Sequence, residues 1–294
     1  MDRRDYLKTM CVAAGSTLVG KNLAAQVTES GPAAPEQMAV LVDTTRCLGC
    51  RLCEFACAKA NGLPEPDPDV DITVARNTSP SQWSVCTRYD TEKGSVAVKR
   101  QCMHCLQPAC ISACLTKAMH KTPDGAVAWD GDKCLGCRFC MISCPFDVPK
   151  FEYDSPNPKI QKCVMCWERL QEGKKPACVE NCPAGALKFG KRSELLEEAK
   201  LRIYQNPDKY VHHIYGEHEA GGTSFLYLAS VPFEQLGFPT NLDSTPYPEY
   251  TKEFLYAVPL VLTLLPPLLL AINKATGGEH EEAEEHSIIE SEVR

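Results

Sequence analysis

The placement of cysteine constrains this chain more than any other feature of its sequence. The chain has 18 cysteines in 294 residues, and all but Cys11 and Cys86 fall into four groups of four. These groups are Cys47, Cys50, Cys53, Cys57; Cys102, Cys105, Cys110, Cys114; Cys134, Cys137, Cys140, Cys144; and Cys163, Cys166, Cys178, Cys182. The first and third groups both open with CLGCR and share the spacing C-x2-C-x2-C-x3-C. A single explanation must therefore cover all four groups.

The spacing of the first and third groups is typical of bacterial 4Fe-4S clusters. In that run three cysteines hold one cube of iron and sulfide, and the fourth reaches a neighbouring cube. The second and fourth groups follow the same plan with a longer insert before the third cysteine. Gly49 and Gly136 can adopt positive φ, which lets the backbone curl close to a cube and direct N–H groups at its sulfurs. The sequence therefore predicts iron–sulfur clusters.

Structural zinc and a disulfide scaffold are the alternatives. Zinc sites usually combine two well-separated C-x2-C pairs, and three cysteines within seven residues serve that tetrahedron poorly. Disulfides are favoured by the even cysteine count and by predicted export, but they would require strained C-x2-C bridges repeatedly. The spacing favours iron–sulfur clusters over both.

Several charged or polar side chains lie beside the cysteine groups. Arg46, Arg51, Lys133 and Arg138 either favour the reduced cluster through their positive charge or belong to an ordinary solvated surface. His104, inside CMHC, is expected to be a hydrogen-bonding neighbour because its group already has four cysteines.

The remaining composition restricts the possible functions. The net charge is −7 and no basic stripe is present, so a nucleic-acid partner is not expected. The sequence shows no nucleophile–base arrangement, phosphate loop or nicotinamide fingerprint, which argues against independent catalysis. The chain is therefore predicted to carry electrons within a larger oxidoreductase.

Residues 1–25 resemble a twin-arginine export signal. Arg3 and Arg4 precede Tyr6, Leu7 and Lys8, and a modest apolar stretch follows. A short basic amphipathic helix is the alternative. Because iron–sulfur clusters are assembled in the cytoplasm, a route that exports folded proteins suits this cargo. Whether the signal is cleaved stays open, since no clean A-x-A precedes a boundary. Residues 26–38 are predicted to be a polar linker.

Residues 254–272 form a stretch without charges, FLYAVPLVLTLLPPLLLAI. Its length suits a transmembrane helix, and its prolines are tolerated in such helices. A buried helix is the alternative. The acidic tail at 273–294 is expected to be disordered and cytoplasmic.

The middle of the chain is predicted to hold a four-cluster domain at 39–190 with an insert at 63–101. Within the insert, ITVAR, WSVCTRY and SVAVKR predict a small antiparallel sheet in which Cys86 packs. Residues 191–250 are predicted to form a C-terminal docking extension. It begins with a helix capped by Ser193, and YGEHEAGGTSFLYLASVP then turns through two glycines into a strand.

The motifs QCMHCLQPAC, CRFCMISCPFDVPKFEY and CVENCPAGALKFG resemble those of the four-cluster iron–sulfur subunits, of the kind found in DMSO reductase, that serve molybdopterin enzymes and some hydrogenases. The resemblance covers residues 40–190. The signal and the C-terminal helix together most resemble the iron–sulfur subunits of periplasmic nickel–iron hydrogenases of the hydrogenase-2 type. The implied fold is α+β, with tandem bacterial-ferredoxin-like 4Fe-4S domains, a β insert and one C-terminal transmembrane helix.

The resemblance also implies four 4Fe-4S clusters whose ligands cross between groups. The implied ligand sets are Cys47, Cys50, Cys53 with Cys182; Cys163, Cys166, Cys178 with Cys57; Cys102, Cys105, Cys110 with Cys144; and Cys134, Cys137, Cys140 with Cys114.

The implied location is the periplasmic face of the inner membrane. The implied partners are a catalytic subunit and an integral membrane subunit that reacts with quinone. The catalytic subunit would be a nickel–iron hydrogenase or, alternatively, a molybdopterin enzyme of the formate dehydrogenase or reductase type. A zinc-stabilised scaffold without a redox role is the remaining hypothesis.

Overall fold

The computed structural model describes residues 36–292, with side chains described through residue 276. The predicted signal at 1–25 and nearly all of the predicted linker at 26–38 lie outside the described residues. The strands are β1 Met38–Asp43, β2 Val85–Thr91, β3 Gly94–Arg100, β4 Met119–Lys121, β5 Val127–Trp129, β6 Lys150–Phe151, β7 Ile160–Gln161, β8 Leu187–Lys191 and β9 Phe225–Leu228. The α-helices are α1 Leu52–Asn61, α2 Ala109–Ser112, α3 Phe139–Ile142, α4 Trp167–Gln171, α5 Ala177–Glu180, α6 Arg192–Gln205 and α7 Tyr247–Glu292.

A three-stranded sheet joins distant parts of the chain in the order β8–β1–β9. Strand β1 runs antiparallel to β8 and parallel to β9. Successive side chains of a strand point to opposite faces. Leu41 therefore packs with Leu195 and Ala199 of α6, whereas Val40 and Val42 pack on the side that holds Cys178. The sheet thus separates α6 from the cysteine groups.

Short helices bring the cysteine groups together in two pairs. Helix α1, which carries Cys53 and Cys57, packs against α5, which carries Cys178. Helix α2, with Cys110, packs against α3, with Cys140. The first group therefore meets the fourth, and the second meets the third.

The insert forms a hairpin of β2 and β3, as predicted, but ITVAR does not join it as a third strand. Asp71 accepts hydrogen bonds from the backbone and side chain of Thr73, and this local turn competes with strand pairing. Arg76, at the end of the segment, instead pairs with the fully buried carboxylate of Glu54 in α1 at 2.8 Å. This ion pair ties the insert to the helix of the first group.

The extension after residue 190 matches its prediction except at one helix end. Helix α6 begins at Arg192 with Lys191 at its N-cap, so Ser193 lies inside the helix and the predicted cap was wrong. The Ser193 hydroxyl, already one residue inside the helix, donates to Glu36. Gly221 and Gly222 adopt positive φ ahead of β9, as the turn prediction requires.

Helix α7 contains the predicted apolar stretch. Within the described residues, the 30-residue segment Tyr247–Thr276 is long and apolar enough to cross a membrane. Its apolar side chains are exposed, so the alternative of a buried helix is wrong. The acidic tail was expected to be disordered, but the backbone is helical through Glu292. Alanine and glutamate in the tail are strong helix formers, which accounts for the difference.

Candidate iron–sulfur centres

The backbone between the first two cysteines has one conformation in all four groups. The residue before the second cysteine has positive φ, with values of 69° at Gly49, 49° at His104, 67° at Gly136 and 54° at Met165. This turn directs N–H groups toward sulfur: the Gly136 nitrogen lies 3.4 Å from Cys134 Sγ, and the Met165 nitrogen 3.4 Å from Cys163 Sγ. The prediction for the two glycines is confirmed. The same conformation at His104 and Met165 was missed because residues other than glycine adopt positive φ only uncommonly.

His104 is held in this strained conformation by its surroundings. It is fully buried, and its Nδ1 accepts a hydrogen bond from the Val127 backbone over 2.8 Å. Burial and the charges of Lys162, Lys121 and Lys99 lower the pKa of His104 well below its usual value, so the ring is neutral and carries its proton on Nε2. Among the described residues Nε2 has no hydrogen-bond partner.

The fourth cysteine is followed by a common turn in three of the groups. A backbone N–H three residues later donates to the carbonyl of the fourth cysteine over 3.2 Å, from Lys117 to Cys114, from Asp147 to Cys144 and from Gly185 to Cys182. The first group differs, because helix α1 continues past Cys57 and Ala58 until Gly62 ends it. Ala58 permits this continuation, whereas proline at the equivalent position would lack the required N–H.

The first predicted ligand set lines one cavity. Its walls contain all four cysteines of that set, Cys47, Cys50, Cys53 and Cys182. Cys86 and Lys99, which face each other across the β2–β3 hairpin, line the same cavity. Cys86 is buried, in agreement with its predicted packing role. Its thiol and the Gly49 N–H, together with the charges of Lys99 and Arg88, lower the pKa of Cys47 to about 6 against the effect of burial.

A second ligand set forms where α1 meets the fourth group. The pKa of Cys57 is raised to about 12, chiefly by burial. The charge of Lys99 lowers it, and Cys178 and Cys166 make smaller contributions that raise it. Asn61, one turn after Cys57, donates to its sulfur over 3.7 Å and also hydrogen-bonds Cys166. Sequence reasoning missed Asn61, although its position four residues after Cys57 on a helix was a usable signal.

The second and third groups also lie close together. Burial raises the pKa of Cys110 to about 12, with Cys102 and Cys144 contributing. Burial also raises the pKa of Cys140 to about 11, with further contributions from Cys134, Cys114 and Cys137. Cys144 packs in one cluster with Cys102 of the second group, and Cys114 packs in another with Cys134 and Cys140 of the third.

The donor set fits a multi-iron cluster. All seventeen cysteines in residues 36–292 are free thiols. Within the same range, the side chains include no group of three or more that could hold a single metal ion. Zinc would draw its four sulfurs to within about 2.3 Å of one point, whereas a cube holds each sulfur on a different iron. Buried thiols with raised pKa values are stable here only as neutral groups or as ligands that have lost their protons to metal.

Three of the four cations predicted beside the cysteine groups are paired with carboxylates. Arg46 pairs with Asp43 at 3.5 Å, Lys133 with Asp130 at 2.8 Å and Arg51 with Glu54 at 3.0 Å. The fourth, Arg138, lies 5.4 Å from the ring centroid of Phe151. Arg46 and Lys133 are solvated, and Arg51 is buried in an ion pair that the sequence did not indicate.

Comparison with known proteins agrees with this site. Residues 95–192 match the family model of the 4Fe-4S dicluster domain. The chain is 47% identical over 278 residues to a protein of Nitratidesulfovibrio vulgaris, covering 92% of this chain and 75% of that one. It is 35% identical to the hydrogenase-2 operon protein HybA of Escherichia coli O157:H7, covering 95% and 97% of the two chains. It is also 31% identical to the nitrate-inducible formate dehydrogenase iron–sulfur subunit of Escherichia coli K12, over 65% of this chain and 68% of that one.

Four cysteine groups on repeated turns, together with the matched domain, define a ferredoxin-like iron–sulfur protein that transfers electrons. No catalytic machinery is needed for such a role. The chain belongs to the family of 4Fe-4S proteins that includes HybA and the formate dehydrogenase iron–sulfur subunits.

Proposed function

We propose that the protein carries four 4Fe-4S clusters and relays single electrons between a catalytic subunit and the quinone pool or a membrane subunit. The observation that carries this proposal is that the first cysteine group packs against the fourth and the second against the third, as four crossed sets of thiol ligands require. The sets are Cys47, Cys50, Cys53, Cys182; Cys57, Cys163, Cys166, Cys178; Cys102, Cys105, Cys110, Cys144; and Cys114, Cys134, Cys137, Cys140.

When bound, each cluster supplies a site that accepts and releases one electron. The chain holds the clusters in fixed order and excludes water from the interior of the path, since Cys102, Cys163 and Cys178 are buried. Cys50 and Cys137 are exposed, and each belongs to a different set. Electrons would therefore enter and leave through the Cys50 and Cys137 sets. On this proposal the domain at 39–190 consists of two tandem ferredoxin-like units.

The share of the chain that aligns with each relative favours a catalytic subunit of the nickel–iron hydrogenase type. The similarity to HybA extends over 95% of the chain, including the C-terminal helix, whereas that to the formate dehydrogenase subunit covers 65%. A molybdopterin oxidoreductase of the formate dehydrogenase or reductase type is the second candidate, since those subunits share the cluster domain.

The proposed location is the periplasmic face of the inner membrane, with α7 as an anchor. The exposed apolar segment Tyr247–Thr276 supports the anchor. Helix α2, which carries Cys110, packs against α7, so the second and third groups would lie nearer the membrane than the first. Twin-arginine export at 1–25 and the docking role of 191–250 belong to the same proposal.

Purification of the native complex in detergent, without oxygen, tests this function. We expect a large subunit that contains nickel to co-purify, together with a membrane subunit. Molybdenum in the large subunit would instead support the formate dehydrogenase type. Electron paramagnetic resonance after dithionite reduction tests the redox role, because zinc without iron and no signal would leave only the scaffold hypothesis.

A further inference from the structure

Lys99, on strand β3, is a buried cation without a paired carboxylate. Its side chain is 2% exposed. Its ammonium group donates to Gln101 Oε1 over 2.7 Å and lies 5.6 Å from the ring centroid of Phe225, and both of these neighbours are uncharged. No Asp or Glu among the described residues forms an ion pair with it. Because burying an ammonium group costs several kcal/mol unless an opposite charge lies near, Lys99 requires a negative partner.

Cysteines of two different ligand sets lie close to Lys99. It lines the first cavity together with Cys53, and the Phe225 ring next to its ammonium group packs in the same cluster as Cys178. Cys53 belongs to the set that lines the first cavity, and Cys163 and Cys178 belong to the set that includes Cys57. Burial tends to lower the pKa of Lys99, but Cys178, Cys53 and Cys163 reverse this and raise it above its ordinary value. Lys99 thus lies between the two sets.

We propose that Lys99 is a positioning residue that places a fixed positive charge between the two clusters of the first and fourth groups. This charge raises the reduction potential of both clusters. This inference rests on the proposed ligand sets. Reduction adds a negative charge to a cluster, and a positive charge nearby stabilises that state most strongly where the surroundings exclude water. Arg51 lines the same cavity, but its charge is compensated by Glu54. Lys99 therefore supplies the uncompensated charge in this cavity.

The hairpin that carries Lys99 also provides a control. Lys93 lies in the turn between β2 and β3, is exposed, and donates to the Asp208 carbonyl over 3.3 Å. Replacing it changes the net charge of the protein equally without removing a charge from the interior. Lys99→Met removes the buried charge and keeps most of the side-chain volume, whereas Lys99→Arg keeps the charge.

The test is a redox titration of the full-length protein, purified without oxygen and followed by electron paramagnetic resonance. For Lys99→Met we expect two midpoint potentials to fall, so that the reduced-to-oxidised ratio at a fixed potential drops at least tenfold, or about 59 mV for one electron. The midpoint potentials of the other two clusters should not change. Lys99→Arg should restore the two potentials toward the wild type, and Lys93→Met should leave all of them unchanged. Unchanged potentials in Lys99→Met, or an equal shift in Lys93→Met, would overturn the proposal.

Iron and sulfide analysis separates this test from that of the proposed function. Wild-type protein without iron would disprove the clusters themselves, whereas full iron content with unmoved potentials would disprove only the role of Lys99. If Lys99→Met loses iron, Lys99→Gln and Lys99→Arg decide the outcome. Loss of iron in Lys99→Met and Lys99→Gln but not in Lys99→Arg would support a requirement for the charge. Loss in all three would contradict it, because the shape of lysine would then matter and not its charge.

Discussion

The side-chain amide of Asn61 lies 3.7 Å from the sulfur of Cys57, and the same amide hydrogen-bonds Cys166. The two thiols belong to the first and fourth cysteine groups, so one amide marks the point where distant segments meet. Helix α1 creates this contact by continuing one turn beyond Cys57. Two consequences can be measured, one for the ligand sets and one for the potential of the cluster that they hold.

Cys57→Ser should damage the cluster of the fourth group and spare that of its own group. Cys57 lies beside Cys166 and Cys178, so the expected loss is about one cluster of the four. The resonance spectrum of Cys57→Ser should lack the same signal as that of Cys166→Ser. A spectrum that matches Cys50→Ser instead would show that Cys57 serves its own group and that the crossed sets are wrong.

Asn61→Leu should lower the potential of that same cluster. Hydrogen bonds to cluster sulfurs stabilise the reduced state, and this substitution removes the contacts to Cys57 and Cys166 while keeping the side-chain volume. The expected fall is less than tenfold in the reduced-to-oxidised ratio, or below about 59 mV. Asn61 also donates to the carbonyl four residues earlier, that of Cys57, over 2.7 Å. Asn181→Leu is therefore the matched control, since Asn181 donates to the Ala177 carbonyl over 2.9 Å but to no sulfur. Equal shifts of the midpoint potential in both variants would show that the effect comes from loss of the hydrogen bond to the backbone carbonyl and not from loss of the contact to sulfur.

Glu54→Gln should destabilise the protein strongly. The buried Glu54 carboxylate pairs with Arg51 and Arg76 and accepts from Gln82 and the Cys86 backbone. Its loss leaves two guanidinium groups uncompensated in or near the interior, at a cost of about 3–5 kcal/mol in unfolding free energy. The midpoint temperature of cluster loss, followed by absorbance without oxygen, measures this effect.

Glu198→Gln provides the comparison for Glu54. Glu198 pairs with the exposed Lys188 and with Arg202, so its removal should cost no more than about 1 kcal/mol. A similar midpoint temperature in both variants would contradict the importance of the buried network.

Acid should release iron from the protein. Burial raises the pKa of Cys57 to about 12 and that of Cys144 to about 11, so these thiols must lose protons in order to bind iron. Metal binding therefore releases protons and weakens as the pH falls, and a ferrous chelator should capture iron faster at about pH 5 than at about pH 8. A release rate independent of pH would contradict thiolate ligation.

The sequence predicted the parts of this molecule that depend on local geometry. Gly49 and Gly136 identified the turns at the cysteine groups, and the hairpin, strand β9 and helix α7 followed from periodicity and composition. Asn61 and Lys99 were not predicted. Their roles depend on which distant segments lie beside them, and no local pattern encodes that proximity. The ion pair of Glu54 was not predicted for the same reason. Its partner Arg76 was assigned to a strand because apolar and polar residues alternate in the segment before it.

Iron and acid-labile sulfide, counted per molecule of full-length protein purified without oxygen, test the central claim most directly. The account predicts about sixteen of each, four for every ligand set. Far fewer irons, or iron without matching sulfide, would contradict it.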